Sequence, residues 1–124
     1  MKTLSRRDIV KGIAAGMPLA AVLAEPLLAR AAADSLETAA ITTEGGRSVR
    51  ASLALPAKTP APAVLLIHEW WGLNDQIKSV AAEFARQGFL AAALDLYQGK
   101  VATTKESARA YMRAMDPAAA DDTA

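Results

Sequence analysis

The fold is decided by residues 63–74, which read Ala63-Val64-Leu65-Leu66-Ile67-His68-Glu69-Trp70-Trp71-Gly72-Leu73-Asn74. The first five residues are all apolar, and a run of this length between proline and glycine predicts a central strand that is buried on both faces. A carboxylate and two tryptophans follow the run directly. Because open α/β sheets bind ligands at the carboxyl ends of their strands, the same stretch also predicts a functional site.

A helical pattern follows this strand. Asn74 or Asp75 can cap the helix, apolar residues recur from Ile77 at helical spacing, and Gly88 suits the position just past its end. Residues 89–94 then form a second apolar run of strand length. Two such strands joined by a helix predict a parallel, right-handed β-α-β unit.

The flanking segments predict further elements. Residues 36–43 can form a short strand, and the alternation in residues 47–56 predicts a half-exposed antiparallel strand at a sheet edge. Thr103 and Glu106 fit a capping box at the start of a last helix. One face of that helix is expected to carry Ala108, Tyr111, Met112 and Met115. These elements provide only part of the cover that a central strand needs. We therefore expect an α/β fold that is the N-terminal half of a larger domain and is incomplete in this chain.

The N-terminus carries an export signal in this interpretation. Residues 5–11, Ser5-Arg6-Arg7-Asp8-Ile9-Val10-Lys11, resemble the twin-arginine motif and precede an apolar segment and small residues that suit a signal peptidase. Pro18, Glu25 and Pro26 interrupt the apolar segment, which argues against a stable membrane span. We expect residues 1–33 to be a removable leader and residues 34–124 to be the folded part. The expected location is the periplasm or the extracellular space, and the expected partners include the twin-arginine translocation machinery and signal peptidase.

Composition excludes several classes of function. The chain of 124 residues has a formal net charge of +1, and the part after residue 33 is slightly acidic, so nucleic acid is not an expected partner. The absence of cysteine excludes disulfides and thiolate metal sites within these residues. No glycine-rich phosphate-binding motif occurs, and no cofactor is expected.

Glu69 is the main candidate for acid or base chemistry. It leaves the predicted strand beside two tryptophans, where partial screening from water would prepare a carboxylate for proton transfer. The alternative interpretation is a solvated loop carboxylate, or one bound to a backbone amide as a cap. His68 and Glu69 are neighbours on a strand and point to opposite faces, so they are not expected to bind one metal ion. His68, the only histidine, can act as a base, but a packed residue at the strand end is the stronger interpretation.

Other candidates line the same edge. Trp70 and Trp71 can form the wall of an apolar pocket or simply pack in the loop. Asp95 and Tyr97 follow the second parallel strand and are expected beside Glu69, where they either line a shared crevice or cap the loop. No serine lies in a G-x-S-x-G elbow, so the nucleophile of an acyl-transfer site is missing from these residues.

The joint occurrence of two motifs resembles a known family. They are residues 66–74, with Glu69-Trp70-Trp71-Gly72-Leu73-Asn74, and residues 88–97, which end in Asp95-Leu96-Tyr97. Together they are similar to the N-terminal half of the dienelactone hydrolases, α/β-hydrolase enzymes that are also called carboxymethylenebutenolidases. The likeness extends over roughly residues 38–115.

This resemblance implies hydrolysis of a lactone or related ester by a Cys-His-Asp triad. Glu69 matches the glutamate that helps to generate the thiolate, and Trp70 matches the residue whose backbone N–H contributes to the oxyanion hole. Trp71 and Tyr97 are expected to contact the substrate. The triad residues would lie beyond Ala124, so we expect the chain alone to be inactive. Two alternatives remain open: a non-catalytic remnant or small-ligand binding module of the same fold, and a secreted redox or cofactor protein, against which the missing cysteines argue.

Overall fold

The computed structural model describes residues 24–118 together with Ala20 and Asp121. The elements in chain order are α1 (Pro26–Asp34), β1 (Glu37–Thr42), β2 (Ser48–Ala54), β3 (Ala63–Ile67), α2 (Asp75–Arg86), β4 (Leu90–Asp95) and α3 (Lys105–Ala114). The predicted twin-arginine motif at residues 5–11 lies outside the described residues. Within the described part, every helix is too short or too polar to cross a bilayer.

The four strands form one mixed sheet in the order β1-β2-β4-β3. β2 is antiparallel to both of its neighbours, β1 and β4. β3 and β4 are parallel, with Ile67 opposite Leu94, and α2 connects them. The predicted β-α-β unit and the α/β fold class are therefore confirmed.

The prediction that β2 lies at a sheet edge is wrong. β2 is an inner strand, and the edge next to it is β1, whose residues are mostly exposed. Ala51 and Ser52 point to opposite faces of β2 and are both buried. The alternation in the sequence shows which side chains are apolar, but it does not show whether a strand has neighbours on both sides.

The prediction that β3 is central and buried on both faces is also wrong for this chain. β3 pairs only with β4 among the described strands and forms the other edge of the sheet. Leu65 and Ile67 point away from the core and are 47% and 53% exposed. Val64 and Leu66 point the other way and are half-buried. The apolar run has the composition of a central strand, but the described residues cover only one of its faces.

The core lies between the sheet and α2. It contains small side chains that allow the helix to approach the strands closely, and larger, partly buried residues surround them. Its buried members are Ala54, Leu73, Ala81, Ala91 and Ala93, with Leu36, Leu66, Ile77, Phe84 and Ala85 packed around them. The core therefore joins β2, β3, β4 and α2 and fixes the position of the loops that leave β3 and β4.

The start of α2 follows the sequence pattern, and the start of α3 does not. The Asn74 side chain accepts a hydrogen bond from the Ile77 N–H at 3.1 Å, which confirms Asn74 as the cap of α2. At α3 the capping box is formed by Thr104 and Ser107, so the prediction with Thr103 and Glu106 is wrong by one residue. Both patterns occur in the sequence, and the start of the helix at Lys105 decides between them.

The outer helices pack unequally. α1 lies against α2 and buries Ala29, Ala32 and Ala33, so residues from the end of the expected leader contact the domain in this structure. On α3, Ala108 is buried as predicted, whereas Met112 is 46% exposed. Tyr111 and Met115 are half-buried, so Met112 is the one residue that departs from the predicted apolar face.

Candidate functional site

The parallel pairing of β3 and β4 brings their exit loops to one edge of the sheet. Because Ile67 lies opposite Leu94, the next residues, His68 and Asp95, leave the sheet at the same level. The predicted neighbourhood of these two loops at the carboxyl edge is confirmed.

Several contacts join the two exit loops. The Leu96 N–H donates to Nε2 of His68 at 3.2 Å, and the Ala102 N–H donates to the Trp71 carbonyl oxygen at 2.8 Å. The rings of His68 and Tyr97 meet edge to face, with centroids 4.6 Å apart. The loops at residues 68–74 and 95–102 therefore form one unit, which we call the loop frame.

Gly72 allows the loops to approach this closely. Its φ of +93° lies in the left-handed region, and a Cβ at this position would lie 2.5 Å from the Lys100 carbonyl oxygen and 3.1 Å from Cδ2 of Tyr97. A backbone oxygen cannot move away to relieve such a clash as the end of a flexible side chain can. Glycine is therefore required here both for the backbone conformation and for the space.

Glu69 lies at the mouth of the sheet but is exposed. Its carboxylate makes no ion pair or hydrogen bond with the residues that the structure describes. Trp70 and Trp71 are half-buried, and their rings pack edge to face on each other with centroids 5.0 Å apart. Glu69 therefore lacks the screening from water that we expected the tryptophans to provide.

The backbone N–H of Trp70 is also uncommitted. It donates no hydrogen bond to any residue in the described part of the chain, whereas the Gly72 N–H donates to the Glu69 carbonyl at 3.0 Å. The exit of β3 thus presents a carboxylate and an amide donor on successive residues, and neither is used by the local fold.

Asp95 and Tyr97 have structural roles in the second loop. The two carboxylate oxygens of Asp95 accept from the N–H groups of Tyr97 at 3.1 Å and Gly99 at 2.6 Å, so Asp95 caps the loop. Tyr97 is 6% exposed, and burial raises the pKa of its hydroxyl above the ordinary value. Its ring also contacts Tyr111, with centroids 5.9 Å apart.

A cleft of about 710 Å³ opens where β2 and β4 meet α3. Tyr97 lines it, together with Arg50 and Lys100, but Glu69 and the two tryptophans do not. The Lys100 ammonium lies 5.5 Å from the centre of the Tyr111 ring. Of the four predicted site residues, the structure therefore places only Tyr97 in the lining of this cleft.

The bridging position of His68 was not found from the sequence. The predicted alternative of a packed residue at the strand end is confirmed, since His68 is 8% exposed, but its partner Leu96 lies 28 positions further along the chain. The only signal was a lone histidine at the exit of an apolar strand. Among residues 24–118 and the two isolated described positions, no three acidic or histidine side chains converge as metal ligands would.

The four-stranded sheet with its parallel β-α-β unit corresponds to part of an α/β-hydrolase domain. A solved structure named m3DLH matches 64% of this chain and 35% of its own length, with a TM-score of 0.51 and 25% sequence identity. The sequence profile of the dienelactone hydrolase family matches residues 49–123, which is more than half of the chain. The chain belongs to the dienelactone hydrolase family.

Curated relatives agree with this membership. "Protein usf" of Aquifex pyrophilus is 41% identical over 75 residues, which are 58% of this chain and 32% of that protein. A "Putative carboxymethylenebutenolidase" of Aquifex aeolicus is 40% identical over 75 residues, with the same coverage of both chains. The chain thus spans about a third of the length of these relatives.

Proposed function

We propose that this chain supplies the first part of the active site of an ester or lactone hydrolase of the dienelactone type. The observation that carries the proposal is the exit of β3, where the Glu69 carboxylate and the Trp70 amide are adjacent and uncommitted. Membership of the family and the name of the Aquifex aeolicus relative support an ester or lactone as the substrate class.

In this proposal, Glu69 and Trp70 act at two points of one acyl transfer. The nucleophile is a thiol on a strand-to-helix elbow beyond Ala124, and Glu69 takes part in generating the attacking thiolate. The thiolate adds to the ester carbonyl, and the Trp70 N–H donates to the oxyanion that forms. The carbonyl then re-forms as the C–O bond breaks and the alkoxide takes up the proton that the thiol gave up. Water then hydrolyses the thioester to a carboxylic acid and the free thiol.

The proposal places the triad cysteine, aspartate and histidine in polypeptide that follows residue 124. Reading the nucleotide sequence past the Ala124 codon in all three frames tests this directly. A G-x-C-x-G or G-x-S-x-G elbow followed by an aspartate and a histidine supports the enzyme. A stop codon without such an elbow in any frame contradicts this part of the proposal.

The catalytic role of Glu69 is tested in the extended protein by Glu69→Gln. We expect kcat/KM for a chromogenic ester or a dienelactone to fall by about 10²- to 10⁴-fold, because an acid–base group has been neutralised. Glu83→Gln is the matched control, since Glu83 lies on α2 and pairs with Arg86. The 124-residue chain alone should show no turnover. Unchanged kinetics of Glu69→Gln, or turnover by the short chain, would contradict the proposal.

A small-ligand binding module is the second candidate, and the half-buried Trp70-Trp71 pair favours it. The two tryptophans are the only ones in the chain, so their fluorescence reports binding without ambiguity. Saturable quenching by a short aliphatic ester in the 124-residue chain, lost in Trp71→Ala, supports this function. A linear response without saturation excludes it for that ligand.

We further propose export by the twin-arginine route, on the strength of residues 5–11. Cleavage near residue 33 would remove α1, which packs against α2 and buries Ala29, Ala32 and Ala33. N-terminal sequencing of the exported protein tests both points. Retention of the protein in the cytoplasm with its leader intact would contradict the proposal.

A further inference from the structure

His68 lies between the two loops that form the site, and its surroundings define its chemical state. Its Nδ1 is 2.6 Å from the Glu69 carbonyl oxygen, and its Nε2 is 3.2 Å from the Leu96 nitrogen. The side chain is 8% exposed, and its ring packs on the edge of Tyr97. Both ring nitrogens therefore have a backbone partner, and each partner has a fixed hydrogen-bonding role.

The two backbone partners allow only one form of the imidazole. A peptide N–H can only donate, so Nε2 must offer a lone pair to Leu96, and a carbonyl oxygen can only accept, so Nδ1 must carry a proton toward Glu69. The imidazolium would carry an Nε2–H without an acceptor, and the Nε2–H tautomer would place two donors against each other at Leu96. The neutral Nδ1–H tautomer satisfies both bonds.

We propose that His68 is a positioning residue, held as the neutral Nδ1–H tautomer, which joins the Glu69–Trp70 loop to the loop after β4. His68 donates to the Glu69 carbonyl, which also accepts from the Gly72 N–H, and so helps to fix the peptide between Glu69 and Trp70. That peptide carries the amide that the proposed function uses as an oxyanion donor. The positioning role rests on the proposed function, whereas the tautomer and the link between the loops do not.

The tautomer is tested by nitrogen NMR of the full chain labelled with ¹⁵N-histidine. Because His68 is the only histidine, the spectrum contains a single imidazole. Nε2 is recognised because it couples to both carbon-bound ring protons, and it should resonate in the range of an unprotonated nitrogen at neutral pH. Nδ1 should resonate as a protonated nitrogen. The Nε2–H form, the imidazolium or an average of the two tautomers would overturn the proposal.

The link between the loops is tested with two variants of the same chain. His68→Phe keeps an aromatic ring against Tyr97 but removes both hydrogen bonds, whereas His68→Gln keeps one donor and one acceptor. Hydrogen exchange of the Leu96 amide should accelerate roughly tenfold in His68→Phe, which corresponds to the loss of about one hydrogen bond. Protection should be largely restored in His68→Gln. Equal protection in the wild type and in His68→Phe would overturn the link, and the tautomer measurement stands even if His68→Phe does not fold.

In the extended enzyme, the same pair of variants separates positioning from the proposed function. His68→Phe should lower kcat with little change in KM, and His68→Gln should restore most of it, because the Trp70 amide acts only on the developing oxyanion. Loss of activity that Gln fails to restore would contradict positioning. If Glu69→Gln leaves kcat/KM unchanged while the Nδ1–H tautomer is observed, the proposed function fails and the link remains.

Discussion

The loop frame and the outer edge of β3 are only a few residues apart in sequence. They differ in how many of their groups have a contact within the described residues. In the loop frame, His68 and Asp95 bond to backbone groups, and Gly72 lies against the Lys100 carbonyl. At the edge, Leu65 and Ile67 are about half exposed, and the described residues provide no neighbouring strand.

This contrast separates the loops, which contact each other, from the exposed face of β3. The loops that carry Glu69 and the Trp70 amide are positioned by contacts that residues 63–102 make among themselves. β3, the strand that leads into the first loop, has an apolar face that is exposed to solvent in this structure. We therefore expect that the loops and the exposed face of β3 can be perturbed separately.

The largest effect is expected from Gly72→Ala, which breaks the loop frame. A left-handed backbone costs a non-glycine residue about 1 kcal/mol, and the contact of the new methyl group with the Lys100 carbonyl adds about 2 kcal/mol. We therefore expect the free energy of unfolding to fall by about 3 kcal/mol in urea denaturation followed by circular dichroism.

Gly88→Ala is the matched control for this variant. Gly88 has a nearly identical φ of +95°, but a Cβ there would meet nothing within 4 Å. In Gly88→Ala the free energy of unfolding should fall only by the cost of the left-handed backbone, about 1 kcal/mol. Equal losses in the two variants would show that the loops do not approach each other closely at Gly72.

A second pair of variants compares the two faces of β3. Leu66 packs against the core, so Leu66→Ala should lower the free energy of unfolding by about 2 kcal/mol. Leu65 is 47% exposed, so Leu65→Ala should change it by less than about 0.5 kcal/mol in the 124-residue chain. Both values come from chemical denaturation of chains that differ from wild type at one position.

Leu65→Ala and Leu66→Ala can also be compared in an extended protein, where they test whether the outer face of β3 is covered. If further polypeptide covers the outer edge of β3, Leu65→Ala becomes a core truncation and should cost about as much as Leu66→Ala, or about 2 kcal/mol. A loss that stays below about 0.5 kcal/mol at Leu65 would show that this face remains open.

The helices and strands that depend on local patterns were predictable from the sequence, whereas the order of the strands in the sheet was not. The apolar run at β3 and the Asn74 cap gave the β-α-β unit, because periodicity and capping are local properties. Those patterns do not encode which strand lies next to which. For that reason β2 was expected at the edge and β3 at the centre, and the sheet has the opposite arrangement.

In the candidate site, too, local patterns predicted the loops but not the contacts between distant segments. Parallel strands must place their exits at one edge, so the neighbourhood of the Glu69 and Tyr97 loops followed from the predicted topology. The exposure of Glu69 and the bridge from His68 to Leu96 depend on contacts between distant segments. Motifs near 69 and 97 indicated the family, and the structure added how the two loops are joined.

The smallest effect concerns the hydroxyl of Tyr97, which tests how tightly the loop frame is closed. Burial raises the pKa of Tyr97 above its ordinary value of 10.0, so folding favours the neutral phenol. The unfolded chain ionises first as the pH rises, and the contribution of Tyr97 to stability is therefore complete below pH 10 and declines above it. Tyr97→Phe should match wild type to within about 0.5 kcal/mol at pH 7 and become relatively more stable above pH 10. Denaturant titrations of both proteins across this range measure the difference, and parallel pH profiles would mean that water reaches Tyr97 and that the loop frame is open.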